Sequence, residues 1–352
     1  LTIITRPFAI CTVLRALRQI PGFHLLRSAG AWHDGGSSNK LEPARLAGRT
    51  SSALFQQDRQ MTPKDSSGGQ TYIATRRVGD AAIHIVSDGE LLWAPGFAVP
   101  EEAWRQAMPE ADDLGRVWLG LNVILIEIGD ARIVVDPAMD DPGTGFERSF
   151  TGRSTMQIRR SPGLAAALDL LDWPTAQVTH ALITHAHGDH YGGVMVEHDG
   201  QLHIRFPNAR HLLGRADWEG NLQRQSRNTE LNRRLGAIDQ AGLLELVDGP
   251  LEVVPGVQLL ATPGETPGHI AVRVHSGGNQ LFILGDLFHH RCELEHLDWA
   301  PPHADALQSE VTRRRVFTDL ATSGALAIAP HEAFPGIGCI TASGDHFQWE
   351  SV

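Results

Sequence analysis

From about Thr71 onward the chain alternates short apolar runs with turn residues, the rhythm of a protein built mainly from strands. Tyr72 to Val78 and Ala81 to Ser87 flank Gly79-Asp80, and Leu121 to Ile128 and Ala131 to Asp136 flank Gly129-Asp130. Each pair predicts a β-hairpin, because Gly beside Asp supplies the positive φ that a tight turn needs. A third hairpin is predicted around Ser276-Gly277-Gly278-Asn279, joining Ile270 to His275 with Gln280 to Leu284. Further strands are expected over Val178 to Thr184, Ala209 to Leu213, Leu243 to Val247, Leu251 to Val254, Val257 to Thr262 and Ala325 to Ala329.

Helical periodicity is sparser. Glu101 to Met108 has helical character after Pro100, and Asp305 to Ala321 reads as a longer helix. Ser161-Pro162 predicts a helix start, Ser as N-cap and Pro at the first position, with the helix running to about Leu171. The polar stretch from Asp217 to Gln240 reads as helices inserted over the domain, near residues 215–242. A weak internal echo links the second and third hairpins, whose second strands end at Asp136 and Asp286. A sandwich of two related sheets would produce it.

Residues 1–33 contain no Asp or Glu but carry Arg6, Arg15, Arg18 and Arg27, unlike the acidic remainder. Residues 34–70 are rich in Gly, Ser and charge. The reading is a leader and flexible, disordered tail over residues 1–70, with Met61 as the favoured true start, and a folded domain over 71–352.

Composition narrows the partners. The chain has 352 residues, 42% hydrophobic and 20% charged, and a net charge of -11. That acidity disfavours nucleic acid, and the sequence gives no sign of a membrane span. The run Arg313 to Arg315 is a local exception, read as a solvated helix face. Cys11, Cys292 and Cys339 are too few and scattered for a disulfide framework, so a reducing, cytoplasmic compartment is expected.

Candidate chemistry concentrates after the strand ending at Thr184, in His185-Ala186-His187-Gly188-Asp189-His190. In extended chain, residues two apart point the same way, so His185 and His187 can close on one ion. Gly188 lets the chain turn, and Asp189 and His190 can be aimed at a second. Three imidazoles and a carboxylate this close, without a cation, would leave hydrogen-bonding needs and charge unmet. Two ions call for roughly seven protein contacts. The further candidates are His269, after two Pro-Gly turns, Asp286, after the apolar run from Gln280, and His331, after the last strand. Taken alone, each is ordinary turn chemistry.

In order, His-x-His-x-Asp-His, then Thr262-Pro263-Gly264-Glu265-Thr266-Pro267-Gly268-His269, then Gly285-Asp286, then His331-Glu332-Ala333-Phe334-Pro335-Gly336 resembles the metallo-β-lactamase fold superfamily over residues 71–352. Within it the pattern, with the closing Phe347-Gln348-Trp349, is most similar to the methyl parathion hydrolase and N-acyl homoserine lactonase branch. The resemblance implies an α/β fold, a four-layer αββα sandwich with metals at one sheet edge. It implies His185, His187 and His269 on a first ion, Asp189, His190 and His331 on a second, and Asp286 bridging. Asp136 matches a supporting Asp that orients ligand rings. Glu265 stands where many relatives carry His, at a position that the resemblance does not count among the ligands.

The expected activity is a dinuclear metal-dependent hydrolase, zinc being the expected metal, that uses a metal-bridging hydroxide to open lactones or cleave related esters. Asp286 and Asp189 are its catalytic carboxylates, Asp189 steering a proton. Organophosphate triester and glyoxalase-like thioester hydrolysis are alternatives, and an iron-dependent oxidoreductase of the same fold is the rival from another class. The partner is a small molecule, with a homodimer compatible. Trp93, Phe97 and Phe288 are candidates to line an acyl or aryl pocket, and His289 and His290 to lie near substrate.

Overall fold

The computed structural model describes residues 71–147, 156–221, 226 and 229–352. All of the described residues belong to one compact unit. The expectations for residues 1–70 lie outside the described residues.

The first part runs β1 (Ile73–Val78), β2 (Ala81–Trp93), α1 (Glu101–Ala107), β3 (Val117–Ile128), β4 (Ala131–Val135), β5 (Gln157–Arg160), α2 (Gly163–Leu170) and β6 (His180–Ile183). It continues with α3 (Gly188–Tyr191), β7 (Met195–His198), β8 (Gln201–Ile204), β9 (Arg210–Gly214), α4 (Arg215–Glu219), α5 (Glu230–Gln240) and β10 (Leu244–Val247). The second part runs β11 (Leu251–Val254), β12 (Val257–Ala261), β13 (Ile270–Ser276), β14 (Asn279–Ile283), α6 (Cys292–Glu295), α7 (Ala306–Ser323), β15 (Leu326–Ile328), β16 (Ile337–Ser343) and β17 (His346–Ser351).

Strands β1-β2-β3-β4-β6-β9-β10 form one sheet, with β5 added beside β2, and β11 to β17 form a second in sequence order. The period-two alternation of each strand decides which face meets which layer. Ile83, Ile85, Ile124, Ile126, Ile133 and Val135 point inward against Val272, Val274, Leu281, Ile283 and Ile328 of the other sheet. Their neighbours Val86, Val123, Leu125 and Val134 point outward and are covered by Leu164, Ala167 and Leu168 of α2. On the far side Phe282, Ala327 and Ile340 meet Val316, Phe317 and Leu320 of α7. The result is helix, sheet, sheet, helix, the expected four layers. Each such side chain taken from water is worth about 1.5–3 kcal/mol, so the inner seam is the main source of cohesion.

Strand direction positions the site. β4, β6 and β9 run parallel, as do β14 and β15, so the residues after their last rungs emerge at one edge of the sandwich. That edge is stitched across the sheets. Gly120 N–H donates to the His331 carbonyl at 2.9 Å, and Ile270 N–H to the Thr184 carbonyl at 2.9 Å. The hairpins ending at Asp136 and Asp286 lie one in each sheet, as the sequence echo suggests.

Several local expectations change. Ser161 does not cap α2: its hydroxyl pairs with Ser87, and the buried Asp88 carboxylate takes the Leu164 N–H instead. Gly163, at φ +76°, makes that turn, where an added Cβ would sit 2.5 Å from Asp88. The polar helix α5 is more than a cover. Thr229 caps it, Leu231, Leu235 and Ile238 enter the core, and Arg234 is buried on Asp140. Arg313 likewise leaves the solvated face, donating to Glu293 and to the carbonyls of Leu287, Leu297 and Trp299. The strands β5, β7, β8, β16 and β17 lack the long apolar runs that marked the others. Among the described residues no helix is long and apolar enough to cross a membrane.

Candidate metal centre

Eight titratable side chains converge where the parallel strands end. His185, His187, Glu265 and Asp286 bring one donor atom each to within 4.8 Å of one another, and so do Asp189, His190 and His331. Asp286 lies between the groups. Its Oδ2 is 3.4 Å from His185 Nε2, and its Oδ1 is 3.3 Å from both His190 Nε2 and His331 Nε2. Asp189 Oδ2 stands 3.8 Å and 3.7 Å from the same two imidazoles. A third grouping joins Asp286 and His331 with His289.

Hydrogen bonds behind the rings fix their tautomers. His190 Nδ1–H donates to Asp136 at 3.0 Å and His331 Nδ1–H to the Gly120 carbonyl at 2.9 Å. His185 Nδ1–H donates to the Thr184 hydroxyl at 3.1 Å, which donates onward to Asp136 at 2.8 Å. In their neutral forms His190 and His331 therefore present Nε2 lone pairs toward carboxylate oxygens, while His185 Nε2 faces His187 Nδ1 at 2.8 Å. Lone pair facing lone pair is unfavourable in a buried place unless a cation lies between. His190 Nε2, Asp286 Oδ1 and Glu265 Oε2 are all buried without a hydrogen-bond partner. These donors, all nitrogen and oxygen, fit divalent ions.

Electrostatics agree. Burial opposes charge on His190, but Asp286, Asp136 and Asp189 outweigh it and hold its pKa well above the ordinary value. Burial, with His190 beside it, drives His185 well below. Asp286 is buried, yet the surrounding imidazoles, His190 first, hold it well below the usual carboxylate range. The three carboxylates around His190 thus favour positive charge at that end of the cluster.

His269 lies outside these donor groups. Its Nδ1–H donates to the Thr262 carbonyl at 3.0 Å and its Nε2 accepts the Asp286 N–H at 3.0 Å, so neither ring nitrogen has a lone pair left for the cluster. The ring packs beneath Asp286, and Gly285, at φ +56°, makes room: an added Cβ would fall 2.6 Å from His269 Nε2. Glu265, four residues earlier, enters the cluster instead. The motif Thr-Pro-Gly-Glu carried that possibility, but a carboxylate at a position not counted among the ligands was read only as a change of polarity.

Sequence reasoning also missed three supporting residues. Asp217 accepts Ala186 N–H at 2.9 Å, Thr266 hydroxyl at 2.7 Å and Gly268 N–H at 2.6 Å, tying the loop of His185 and His187 to the loop of Glu265. His303 donates to Glu265 at 2.5 Å. Glu293 accepts the N–H groups of His289 and His290 at 2.7 and 2.9 Å. None lies in a recognisable motif.

The cluster floors a cleft of about 290 Å³ whose other wall is Leu91, Trp93, Leu119 and Met156. His289 lines it, with its ring 4.8 Å from that of Trp93, whereas His290 turns away to Glu110. Phe97 and Phe288 are core residues. A larger groove of about 770 Å³ lies at the other end of the strands, among the turn residues Asp80, Asp130 and Ser276. No cluster of potential metal ligands gathers there among the described residues.

A family model described as the metallo-beta-lactamase superfamily matches residues 116–321. A probable metallo-hydrolase of Mycobacterium tuberculosis is 28% identical over 193 residues, covering 49% of this chain and 58% of that protein. An N-acyl homoserine lactonase of Bacillus cereus is 26% identical over 165 residues, covering 46% of this chain and 60% of its own length. The match thus spans less than two thirds of these curated relatives. Among solved structures, AidC, a dizinc quorum-quenching lactonase in complex with a product, superposes with a TM-score of 0.64 at 21% identity, over 80% of this chain and 97% of that one. The hydrolase AbOPH superposes with a TM-score of 0.66 at 22% identity, over 81% and 98%.

Proposed function

The chain belongs to the metallo-beta-lactamase superfamily, and on that footing we propose that it is a hydrolase that holds two divalent ions, zinc by preference, and opens lactones or cleaves related esters. The observation that carries this reading is Asp286, one carboxylate presenting an oxygen to each of two donor groups. In this reading His185 and His187, with Asp286, would hold one ion, and Asp189, His190 and His331, with the same carboxylate, would hold the other.

Bound ions supply Lewis acidity, activating water as a nucleophile near neutral pH and drawing charge off the scissile carbonyl. The chain's own contribution is orientation and exclusion. Asp136, Thr184 and the Gly120 carbonyl keep the ligand lone pairs aimed inward, so no reorganisation is needed as charge develops. Leu91, Trp93, Leu119 and Met156 give an acyl chain an apolar wall facing the ligands. Asp189 borders the cleft, and in this reading it passes a proton to the departing oxygen. These walls and the N-acyl homoserine lactonases among the relatives both favour a lactone with an acyl arm.

A hydrolysis panel tests the proposal: acyl lactones of several chain lengths, an aryl ester, a phosphotriester, a β-lactam and a glutathione thioester, each with His187→Ala as control. Lactone or aryl ester turnover that disappears in the variant is expected. Oxygen uptake with bound iron and no acid release would place the chain in the redox class instead.

A further inference from the structure

Glu265 lies at the tip of a loop clamped on both sides. Its Oε1 is 3.4 Å from His187 Nδ1 and accepts His303 Nε2–H at 2.5 Å, while Oε2 is buried without a partner. The loop before it is pressed onto the start of α7. The Asp305 N–H donates to the Gly264 carbonyl at 2.8 Å, and a Cβ on Gly264, at φ +150°, would meet the Ser309 backbone at 2.7 Å. Behind it, Thr266 is fixed to Asp217. Glu265 and His303 are therefore delivered to the cluster as one rigid pair. His269 has spent both ring nitrogens on Thr262 and on the Asp286 amide.

Resting on the two-ion reading above, we propose that Glu265 is a protein ligand of the first ion, beside His185, His187 and Asp286, that His303 positions its carboxylate, and that His269 is a buttress and not a ligand. A buried carboxylate with one oxygen held by an imidazole and the other without a partner is the arrangement in which a cation supplies the missing interaction. The chemical consequence is a donor set with one more negative charge and one more hard oxygen than an imidazole at this place would give. Such a set binds harder ions such as Mn²⁺ better, relative to Zn²⁺, than its imidazole counterpart does.

Metal content decides the assignment. Full-length wild type, Glu265→Gln, Glu265→His, His269→Gln, His303→Ala and His303→Gln are each loaded with Zn²⁺ or Mn²⁺, dialysed and measured for ions per chain by elemental analysis. Circular dichroism checks that the variants are folded. Wild type and His269→Gln hold two ions, and Glu265→Gln holds one. Glu265→His returns to two, with its preference for Zn²⁺ over Mn²⁺ raised by about tenfold. His303→Ala weakens retention about tenfold, and His303→Gln, which still donates an N–H, recovers it. Two ions retained by Glu265→Gln, or one lost from folded His269→Gln, overturns the assignment alone. Fewer than two Zn²⁺ in the wild type overturns the two-ion reading and this assignment with it.

Discussion

Asp136 holds His190 from behind: one carboxylate oxygen accepts the imidazole Nδ1–H at 3.0 Å and the hydroxyl of Thr184 at 2.8 Å, while the other takes the Thr184 N–H at 2.7 Å. All three partners are donors, which is why a carboxylate is required. The residue sits at φ +46°, where Asn is tolerated. Asp136→Asn therefore keeps the backbone but must turn its amide NH₂ toward one of these donors. Metal affinity falls by about 10–100-fold with little loss of fold, as measured by titration against a competing chelator. Unchanged affinity would mean that ring orientation does not matter here.

Glu293 links stability to acid. Burial alone would raise its pKa, but Arg313 first, then His289 and the backbone N–H of His290, bring it down to about 2. A folded pKa below the unfolded one stabilises above the unfolded value near 4.5 and loses that contribution as pH falls toward 2. The contribution is about 3 kcal/mol near neutrality. Urea unfolding at pH 7 should show Glu293→Gln less stable by about that amount, with the gap narrowing below the unfolded value and closing only as pH approaches about 2. A gap independent of pH counts against the ion pair as its source.

Arg234 and Asp140 form a buried pair at 2.6 Å, joined by Arg205 at 3.7 Å. Arg234→Met leaves the Asp140 carboxylate poorly compensated and lowers stability by about 3–5 kcal/mol in urea unfolding. Arg233→Met, one residue earlier and half exposed, changes it by less than about 1 kcal/mol.

How far the sequence carried these relationships depends on their range. Hairpins at Gly79-Asp80 and Gly129-Asp130 are legible because turn chemistry is local. So is the loop from His185 to His190, whose donors come from six consecutive residues. Arg313 and Arg234 were not, because a buried guanidinium looks like a surface one until its distant carboxylate and carbonyl partners are known. Glu265 and His269 differ for a subtler reason. Both follow Pro-Gly turns four residues apart, and only the path of the loop against α7 and Asp217 decides which one reaches the cluster.

If the substrate is an acyl lactone as proposed, Trp93 is expected to set acyl preference. It lines the cleft and packs against His289, so Trp93→Ala removes the largest piece of apolar wall. The kcat/KM for long-chain acyl lactones falls about tenfold or more, while that for acetyl lactones changes little. Equal losses across chain lengths would place the acyl arm elsewhere.

The proposed hydrolysis depends on ions held around Asp286. The direct measurement is acid release from an acyl homoserine lactone by the purified protein before chelation, after chelation, and on stepwise return of Zn²⁺. Turnover that vanishes with the metal and returns in full only near two equivalents per chain is expected. Turnover unaffected by metal removal would contradict it.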